Sequence, residues 1–256
     1  MLQINKIYNE NNLETMSRMP DNFIDLTVTS PPYDNLRTYK GYSFDFESVA
    51  KELFRVTKKG GVVVWVVGDA TVKGSETGTS FRQALYFKEI GFNLHDTMIY
   101  MKDAISFPDA NRYQNCFEYM FIFSKGKPLT INLLADRNNR SYGRKVTGTD
   151  RNKDGSTRKA SCCGQEIKKF GVRWNIWEVN SNKGNVKIKH PAMFPEKLSE
   201  DHILSWSNTG NLIYDPFMGS GTTAKMALIN GRSFIGSEIS SEYCDIANKR
   251  IAEFTP

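Results

Sequence analysis

The alternation of short apolar runs with amphipathic segments of helical length is the feature that most constrains the fold. Val62–Val67 is a purely apolar, β-branched run of the kind found in strands buried inside parallel sheets. Phe46–Val56 precedes it with apolar side chains at helical spacing, and we expect the Lys-Gly-Gly at 59–61 to end that helix. Thr79–Ile90 follows the run as a second amphipathic helix, ended by Gly91. Strands that alternate with helices favour a parallel sheet with helices on its faces.

The remaining apolar patterns extend this alternation to both ends of the chain. We expect further strands at Asp25–Thr29, Leu94–Tyr100, Tyr119–Phe123, Asn211–Tyr214 and Ser233–Gly236. We expect further helices at Glu196–Trp206, Thr222–Ile229 and Glu242–Glu253, with Ser199 capping the second half of the first of these. The prediction is therefore a Rossmann-like, doubly wound α/β domain, in which ligands bind at the carboxyl ends of the strands.

A long polar segment interrupts this pattern. From Lys125 to Lys189 there are 16 Lys and Arg against 5 Asp and Glu, a net charge of +11, whereas the rest of the chain carries −5. The segment also carries four aromatic residues, Tyr142, Phe170, Trp174 and Trp177. Positive charge interleaved with aromatic rings suits a polyanion with stackable bases, which means a nucleic acid. The alternative is a solvated basic loop without a partner.

These patterns divide the chain into three parts and exclude several classes of protein. We expect residues 1–125 and 189–256 to form one domain, and residues 126–188 to be a basic insertion in it. The apolar runs are too short for a membrane span and the first residues do not resemble a signal peptide, so we expect a cytoplasmic, nucleoid-associated protein without membrane contact. The four cysteines form no CxxC pair, so we expect reduced thiols and no metal site.

The segment DPFMGSGTT at residues 215–223 combines the end of a strand, a glycine-rich turn and the start of a helix. Such a turn lets the backbone approach a ligand, and the helix start offers N–H groups to an anionic group. Glu238 ends the next strand, 23 residues after Asp215, which is the spacing at which Rossmann proteins bind ribose hydroxyls. Asp215 within the loop favours a ligand with a positive group, such as an ammonium or a sulfonium. The alternative is a surface acid beside an ordinary turn.

A second loop, TSPPY at residues 29–33, follows the first predicted strand and makes the interpretation specific. With DPFMGSGTT, NCFEYMFIFSKG at 115–126 and KHPAMFPEKL at 189–198, the chain resembles the amino-methylating DNA methyltransferases. In that family an (Asp/Asn/Ser)-Pro-Pro-aromatic loop carries catalysis. The catalytic motif comes first, the basic segment next and the cofactor motif last, an order similar to that of the β group. The resemblance covers about residues 1–126 and 187–256.

The resemblance implies methyl transfer from S-adenosylmethionine to an exocyclic amino nitrogen of a base that is flipped out of double-stranded DNA. It implies the catalytic residues Ser30, Pro31, Pro32 and Tyr33. Two acceptors, the Ser30 hydroxyl and the Pro31 carbonyl, would draw the amine toward tetrahedral geometry and return its lone pair to nitrogen. Tyr33 would stack on the base. In this family Ser is typical of cytosine-N4 enzymes and Asp of adenine-N6 enzymes, so we expect N4 methylation.

The resemblance and the patterns together assign the binding residues. The expected cofactor residues are Asp215, Phe217, Gly219, Ser220, Gly221, Thr222, Glu238, Phe194 and Asn11, the last where the family commonly has Gly-Asp and this chain has Glu10-Asn11. The expected DNA-binding residues are Arg137, Arg140, Arg144 and Lys145. We expect His202, in mid-helix, to be structural.

Several alternatives stay open from the sequence. They are an adenine-N6 DNA methyltransferase, an RNA or protein-amide methyltransferase, and a DNA-binding protein without catalysis. Intact Ser30, Asp215 and Glu238 argue against the last of these. The sequence determines neither the DNA recognition sequence, nor a cognate restriction endonuclease, nor a homodimer.

Overall fold

The computed structural model describes residues 2–32, 44–103, 111–179 and 194–254. Its strands are β1 (Lys6–Tyr8), β2 (Ile24–Thr29), β3 (Thr57–Val67), β4 (Thr71–Val72), β5 (Ser75–Glu76), β6 (Asn93–Lys102), β7 (Phe117–Ser124), β8 (Arg137–Asn138), β9 (Thr149–Arg151), β10 (Thr157–Lys159), β11 (Phe170–Gly171), β12 (Ile176–Val179), β13 (Leu212–Asp215) and β14 (Ser233–Ser237). Its helices are α1 (Asn12–Ser17), α2 (Phe46–Val56), α3 (Thr79–Glu89), α4 (Glu196–Trp206), α5 (Thr222–Ile229) and α6 (Ser241–Ile251), which continues into a 3₁₀ turn at Ala252–Phe254.

One large sheet carries the architecture. Its strand order is β1-β14-β13-β2-β3-β7-β6-β12, and β7 runs antiparallel to both of its neighbours while the other pairs are parallel. The helices pack in two groups, α1 with α2 and α3, and α4 with α5 and α6. The predicted Rossmann-like α/β fold is confirmed. Because β1, β14, β13, β2 and β3 are parallel, their carboxyl ends lie at the same edge of the sheet.

The junction between α2 and β3 differs from the prediction. Asp45 caps α2 by accepting a hydrogen bond from the Ser48 N–H at 3.2 Å, and the helix buries its apolar face as expected. It does not run on to residues 59–61, because Thr57 is already extended and starts β3. The Thr57 hydroxyl donates to the Leu53 carbonyl at 2.6 Å, which satisfies an acceptor in the last turn of the helix. The strand therefore begins five residues before the apolar run that predicted it.

Helix α4 is confirmed at both ends, but two expectations around it are wrong. The helix is continuous, and the Ser199 hydroxyl caps nothing: it is buried and has no hydrogen-bond partner among the residues that the structure describes. Trp177, grouped with the base-stacking aromatics from the sequence, is 7% exposed because it lies on the inward side of β12 in the large sheet. Its ring stacks on His202 at 4.6 Å between centroids, which makes His202 the structural residue that we expected.

Residues 133–174 form a compact unit separate from residues 1–132 and 175–256. Two small antiparallel ladders, β9 with β10 and β8 with β11, supply its regular structure. An ion pair between Arg173 and Asp136 joins its two ends. Within the described ranges, no helix is long and apolar enough to cross a membrane.

Because His202 is buried, we expect the stability of the fold to depend on pH. Burial lowers the pKa of the His202 ring from about 6.5, its value in an unfolded chain, to about 3. Between these two pH values the ring is neutral in the folded chain and protonated in the unfolded chain. Stability is then fully present above pH 6.5 and falls as the pH drops below it. We expect the free energy of unfolding to lose about 1.4 kcal/mol between pH 7.5 and 5.5 through this residue.

Urea denaturation of the unaltered chain and of His202→Phe at the two pH values measures this loss. The variant, which cannot titrate, should be less sensitive to pH by that amount. His95→Gln, at an exposed position, is the matched control and should behave like the unaltered chain. Equal pH sensitivity in His202→Phe would contradict the prediction.

Candidate active site

The two loops singled out from the sequence meet at one edge of the sheet. Strand β2 ends at Thr29, directly before Ser30, and its parallel neighbour β13 ends at Asp215. The Thr29 hydroxyl donates a hydrogen bond to Oδ1 of Asp215 at 2.6 Å, so the strand ends that carry the two loops are joined side chain to side chain. Ser30 is half-buried. Pro31 is buried and Pro32 half-buried, whereas the predicted base-stacking residue, Tyr33, lies outside the described residues.

Asp215 is a buried acid whose carboxylate accepts hydrogen bonds mainly from other groups of the protein. Its side chain is 4% exposed, and the backbone N–H of Phe217 donates to the same Oδ1 at 3.0 Å. Burial raises the pKa of Asp215 to about 6, against the lowering effect of hydrogen bonds from Thr29, Thr223 and Phe217. The carboxylate therefore shapes the loop, and a smaller part of its accepting capacity is left for a positive ligand group.

Glu238 holds the turn of the same loop from the neighbouring strand end. Its Oε2 accepts the Gly219 N–H at 2.7 Å, and its Oε1 accepts the Ser240 N–H at 2.8 Å. Burial raises the pKa of the carboxyl, and these two backbone donors oppose the rise. An ionised carboxylate has about four acceptor sites, so each oxygen can still accept a ligand hydroxyl. The residue expected to bind ribose thus also sets the shape of the glycine turn.

The glycines of the loop are required by its backbone. Gly221 has φ of +81°, and a Cβ placed on it would lie 2.9 Å from the Cβ of Ala247 in α6. Gly221 is also the N-cap of α5, and no side chain caps that helix in the part of the chain that the structure describes. The first N–H groups of α5 therefore have no side-chain acceptor among the described residues, and a helix start of this kind can bind an anionic group.

Arg250 is a residue of the site that sequence reasoning missed. Its Nη1 donates to the Ser220 carbonyl at 3.1 Å, to the Ser220 hydroxyl at 3.2 Å and to the Thr222 hydroxyl at 3.0 Å. It also forms an ion pair with Glu196, which pairs with Lys225 at 2.8 Å. The side chains of Ser220 and Thr222 are thus held by the protein. A lone arginine near the end of α6 carries no sequence signal for this role.

The flanking residues assigned from the resemblance lie around the same strand ends. Asn11 follows β1 and caps α1, with its Oδ1 accepting the Leu13 N–H at 2.9 Å. Phe194 is half-buried and lies two residues before α4, next to the Pro195 N-cap. The half-buried ring of Phe217 lies edge-on to Phe44, at 5.2 Å between centroids, which fixes one side of it against the core.

The residues expected to bind DNA belong to the unit formed by residues 133–174, which carries 11 Lys and Arg against 4 Asp and Glu. Arg140, Arg144 and Lys145 are exposed. Arg137 is partly engaged within the unit, because it donates to the Val172 carbonyl at 2.9 Å and its guanidinium lies 5.0 Å from the ring centroid of Trp174. Trp174 is 70% exposed. This unit therefore presents positive charge beside an accessible aromatic ring.

Known proteins resemble the chain over almost its whole length. A family model described as DNA methylase, for the N6 and N4 methyltransferases, matches residues 24–249. The orphan methyltransferase M.BamHII of Bacillus amyloliquefaciens is 66% identical over 239 residues, which cover 90% of this chain and 89% of the relative. The type II methyltransferase M.BglII of Bacillus subtilis is 29% identical over 95% of this chain and 68% of its own length.

Solved structures agree on the fold. The PvuII DNA methyltransferase, named as cytosine-N4-specific, superimposes with a TM-score of 0.71 at 22% identity, over 96% of this chain and 85% of its own. A complex of M1.HpyAVI with SAM superimposes with a TM-score of 0.63 at 21% identity, over 96% of this chain and 98% of its own. A family model matches most of the chain and a relative is 66% identical to it, so the chain belongs to the N6/N4 family of DNA methyltransferases.

Proposed function

We propose that this DNA methyltransferase transfers its methyl group to the exocyclic N4 of cytosine in duplex DNA. The family includes N4-cytosine and N6-adenine enzymes. The observation that carries the choice of cytosine is Ser30, a hydroxyl side chain where an N6 enzyme typically has a carboxylate, at the end of β2. The PvuII enzyme, whose name gives cytosine N4, supports the proposal only as a neighbour in fold.

The residues at the strand ends fit S-adenosylmethionine, the methyl donor of this family. Glu238 offers carboxylate oxygens, which suit the two donor hydroxyls of a ribose. The uncapped start of α5 offers N–H groups, which suit the carboxylate of the methionine part. Phe217 offers an apolar ring beside the glycine turn. We therefore assign the cofactor to Glu238, the 215–222 loop and the start of α5, with Phe194 and Asn11 beside them.

The chemistry asked of the protein is limited, because S-adenosylmethionine carries its methyl on a reactive sulfonium. What the protein must do is make the exocyclic amine of the base nucleophilic. The lone pair of an exocyclic amine is delocalised into the base, so acceptors at its two protons favour the tetrahedral form. The Ser30 hydroxyl oxygen and the Pro31 carbonyl are positioned for that task by the rigid Pro-Pro sequence. No side chain has to remove a proton before the methyl group is transferred.

The basic unit of residues 133–174 supplies the DNA affinity in this proposal. Arg140, Arg144 and Lys145 are exposed cations able to contact phosphates. Trp174, accessible beside Arg137, offers a face on which a base can stack. Phosphate contacts position the protein on the duplex, and base contacts select the sequence.

Ser30→Ala tests the catalytic assignment. Because the hydroxyl accepts from the amine mainly as that nitrogen becomes tetrahedral, its loss should slow methylation by about 10²–10³-fold. Affinity for DNA and for the cofactor should change little. Single-turnover kinetics measures the rate, and mass spectrometry of digested DNA from the unaltered enzyme should show N4-methylcytosine. N6-methyladenine would refute the base, and full activity in Ser30→Ala would refute the mechanism.

Glu238→Ala tests the cofactor site. The change removes an acceptor for ribose and also releases the Gly219 turn, so cofactor affinity should fall by about 1–3 kcal/mol. Isothermal titration with S-adenosylhomocysteine measures it. Asp245→Ala, at an exposed position of α6, is the matched control and should bind normally. Unchanged affinity in Glu238→Ala would remove Glu238 from the site.

Changing Arg140, Arg144 and Lys145 together to Gln tests the DNA surface. Each lost phosphate contact should flatten the dependence of log affinity on log salt concentration by about one unit of slope. Arg137 is left intact because it bonds within the unit. Fluorescence anisotropy over a salt series measures the slope, and cofactor affinity serves as the control. A slope equal to that of the unaltered enzyme would place the DNA elsewhere.

A further inference from the structure

The bond between Thr29 and Asp215 links the two halves of the reaction site. Both residues are buried, with exposures of 0% and 4%, and the hydroxyl donates to Oδ1 at 2.6 Å. Thr223, at the start of α5, also has a hydroxyl that can donate to this carboxylate. That hydroxyl donates to the Val28 carbonyl as well, at 3.3 Å, so its single proton is shared between two acceptors. Thr29 is therefore the hydroxyl donor committed to Asp215.

We propose that Thr29 is a positioning residue that holds the Asp215 carboxylate in place, and thereby sets the cofactor loop against the catalytic loop. Thr29 directly precedes Ser30, so a constraint on its side chain also restrains the backbone that carries the catalytic hydroxyl. On the other side, Asp215 and the Phe217 N–H start the glycine turn. Reacting groups must be held to within a fraction of an ångström, and supporting hydrogen bonds do this.

The charges around Asp215 make the hydroxyl donor important. Glu238 directly follows β14, and the negative charge of Asp215 contributes to the raised pKa of Glu238. Tyr214, on the same strand, is a buried phenol that bonds to Ser237 at 2.9 Å and does not donate to the acid. Strand β2 contributes the Thr29 hydroxyl, and its one acid, Asp25, lies near the opposite end of the strand, where it accepts the Leu212 N–H at 2.9 Å. The start of α5 contributes the Thr223 hydroxyl. With burial favouring protonation of Asp215, the Thr29 donor favours the ionised form.

A matched control lies on the same strand. Thr27 is two residues earlier, so it lies on the same face of β2, and it is also 0% exposed. Its hydroxyl has no hydrogen-bond partner among the described residues. Thr27→Val and Thr29→Val therefore replace the same atoms in similar surroundings, but only Thr29→Val removes a hydrogen bond.

The experiment compares Thr29→Val, Thr29→Ser and Thr27→Val with the unaltered enzyme. Titration with S-adenosylhomocysteine between pH 5 and 8 gives the affinity and its acid midpoint, and single-turnover transfer of labelled methyl to DNA gives the rate. In the unaltered enzyme, affinity should fall as the pH drops through the pKa of Asp215, about 6. Thr29→Val should raise that midpoint by about one pH unit and lower the rate at neutral pH about 10-fold. Thr29→Ser should restore both, and Thr27→Val should match the unaltered enzyme.

Two results would overturn the proposal. One is an unshifted acid midpoint and a normal rate in Thr29→Val. The other is an equal loss in Thr27→Val, which would show that the effect comes from packing. In the Asp215→Asn variant the carboxyl that Thr29 bonds is gone, so adding Thr29→Val should not shift the acid midpoint further. A shift as large as in the unaltered enzyme would also overturn the proposal. Methyl incorporation is counted whatever the base, so a finding of N6-methyladenine would refute the proposed base and leave Thr29 untouched.

Discussion

The parallel pairing of β2, β13 and β14 is the constraint on which the rest of the site depends. Parallel strands end at the same edge, so residues separated by most of the chain become neighbours there. Ser30, Asp215 and Glu238 each follow or end one of these strands. The chain order of the motifs, catalytic first and cofactor last, does not disturb this arrangement, because β2 pairs directly with β13 whatever lies between them in sequence.

The same edge concentrates buried acids, which is costly unless they are hydrogen-bonded. Burial raises the pKa of both Asp215 and Glu238, so the folded protein holds each against a tendency to protonate. The compensation comes from the Thr29 hydroxyl at the end of β2 and from the backbone N–H groups of Phe217, Gly219 and Ser240. As a result, the two carboxylates that we propose bind the cofactor also hold the shape of the loop.

This N6/N4 methyltransferase has two parts that are stabilised in different ways. The large sheet buries its apolar strands between two groups of helices, together with a few polar side chains such as Thr27 and His202. The unit of residues 133–174 is held by short ladders, an Arg173–Asp136 ion pair and the Arg137–Trp174 contact, with charge on its surface. A rigid scaffold for the reaction and a charged surface for a polyanion are what a DNA-modifying enzyme requires.

Local patterns in the sequence determined the elements and their class. Helices α2, α4 and α5 have the predicted bounds, because apolar spacing and turn residues act over a few positions. The two motif loops were also evident, since Pro-Pro restricts its own backbone and Gly-Ser-Gly permits a tight turn. The early start of β3 was missed, because Thr57 and Lys58 form no apolar pattern. They belong to the sheet because the start of β3 pairs with β2, with Thr57 opposite Ile24.

Tertiary structure decided every role that depends on a partner distant in sequence. Thr29 was only the last residue of a strand until β13 placed Asp215 beside it. Arg250 was one of many cations until α6 brought it to Ser220 and Thr222. In the sequence Trp177 is one of four aromatic residues in a basic segment. In the structure β12 pairs with β6 in the large sheet, and Trp177 is buried there. Sequence patterns report the periodicity of single elements, whereas hydrogen bonds and burial depend on which elements are adjacent, and only strand order and helix packing determine that.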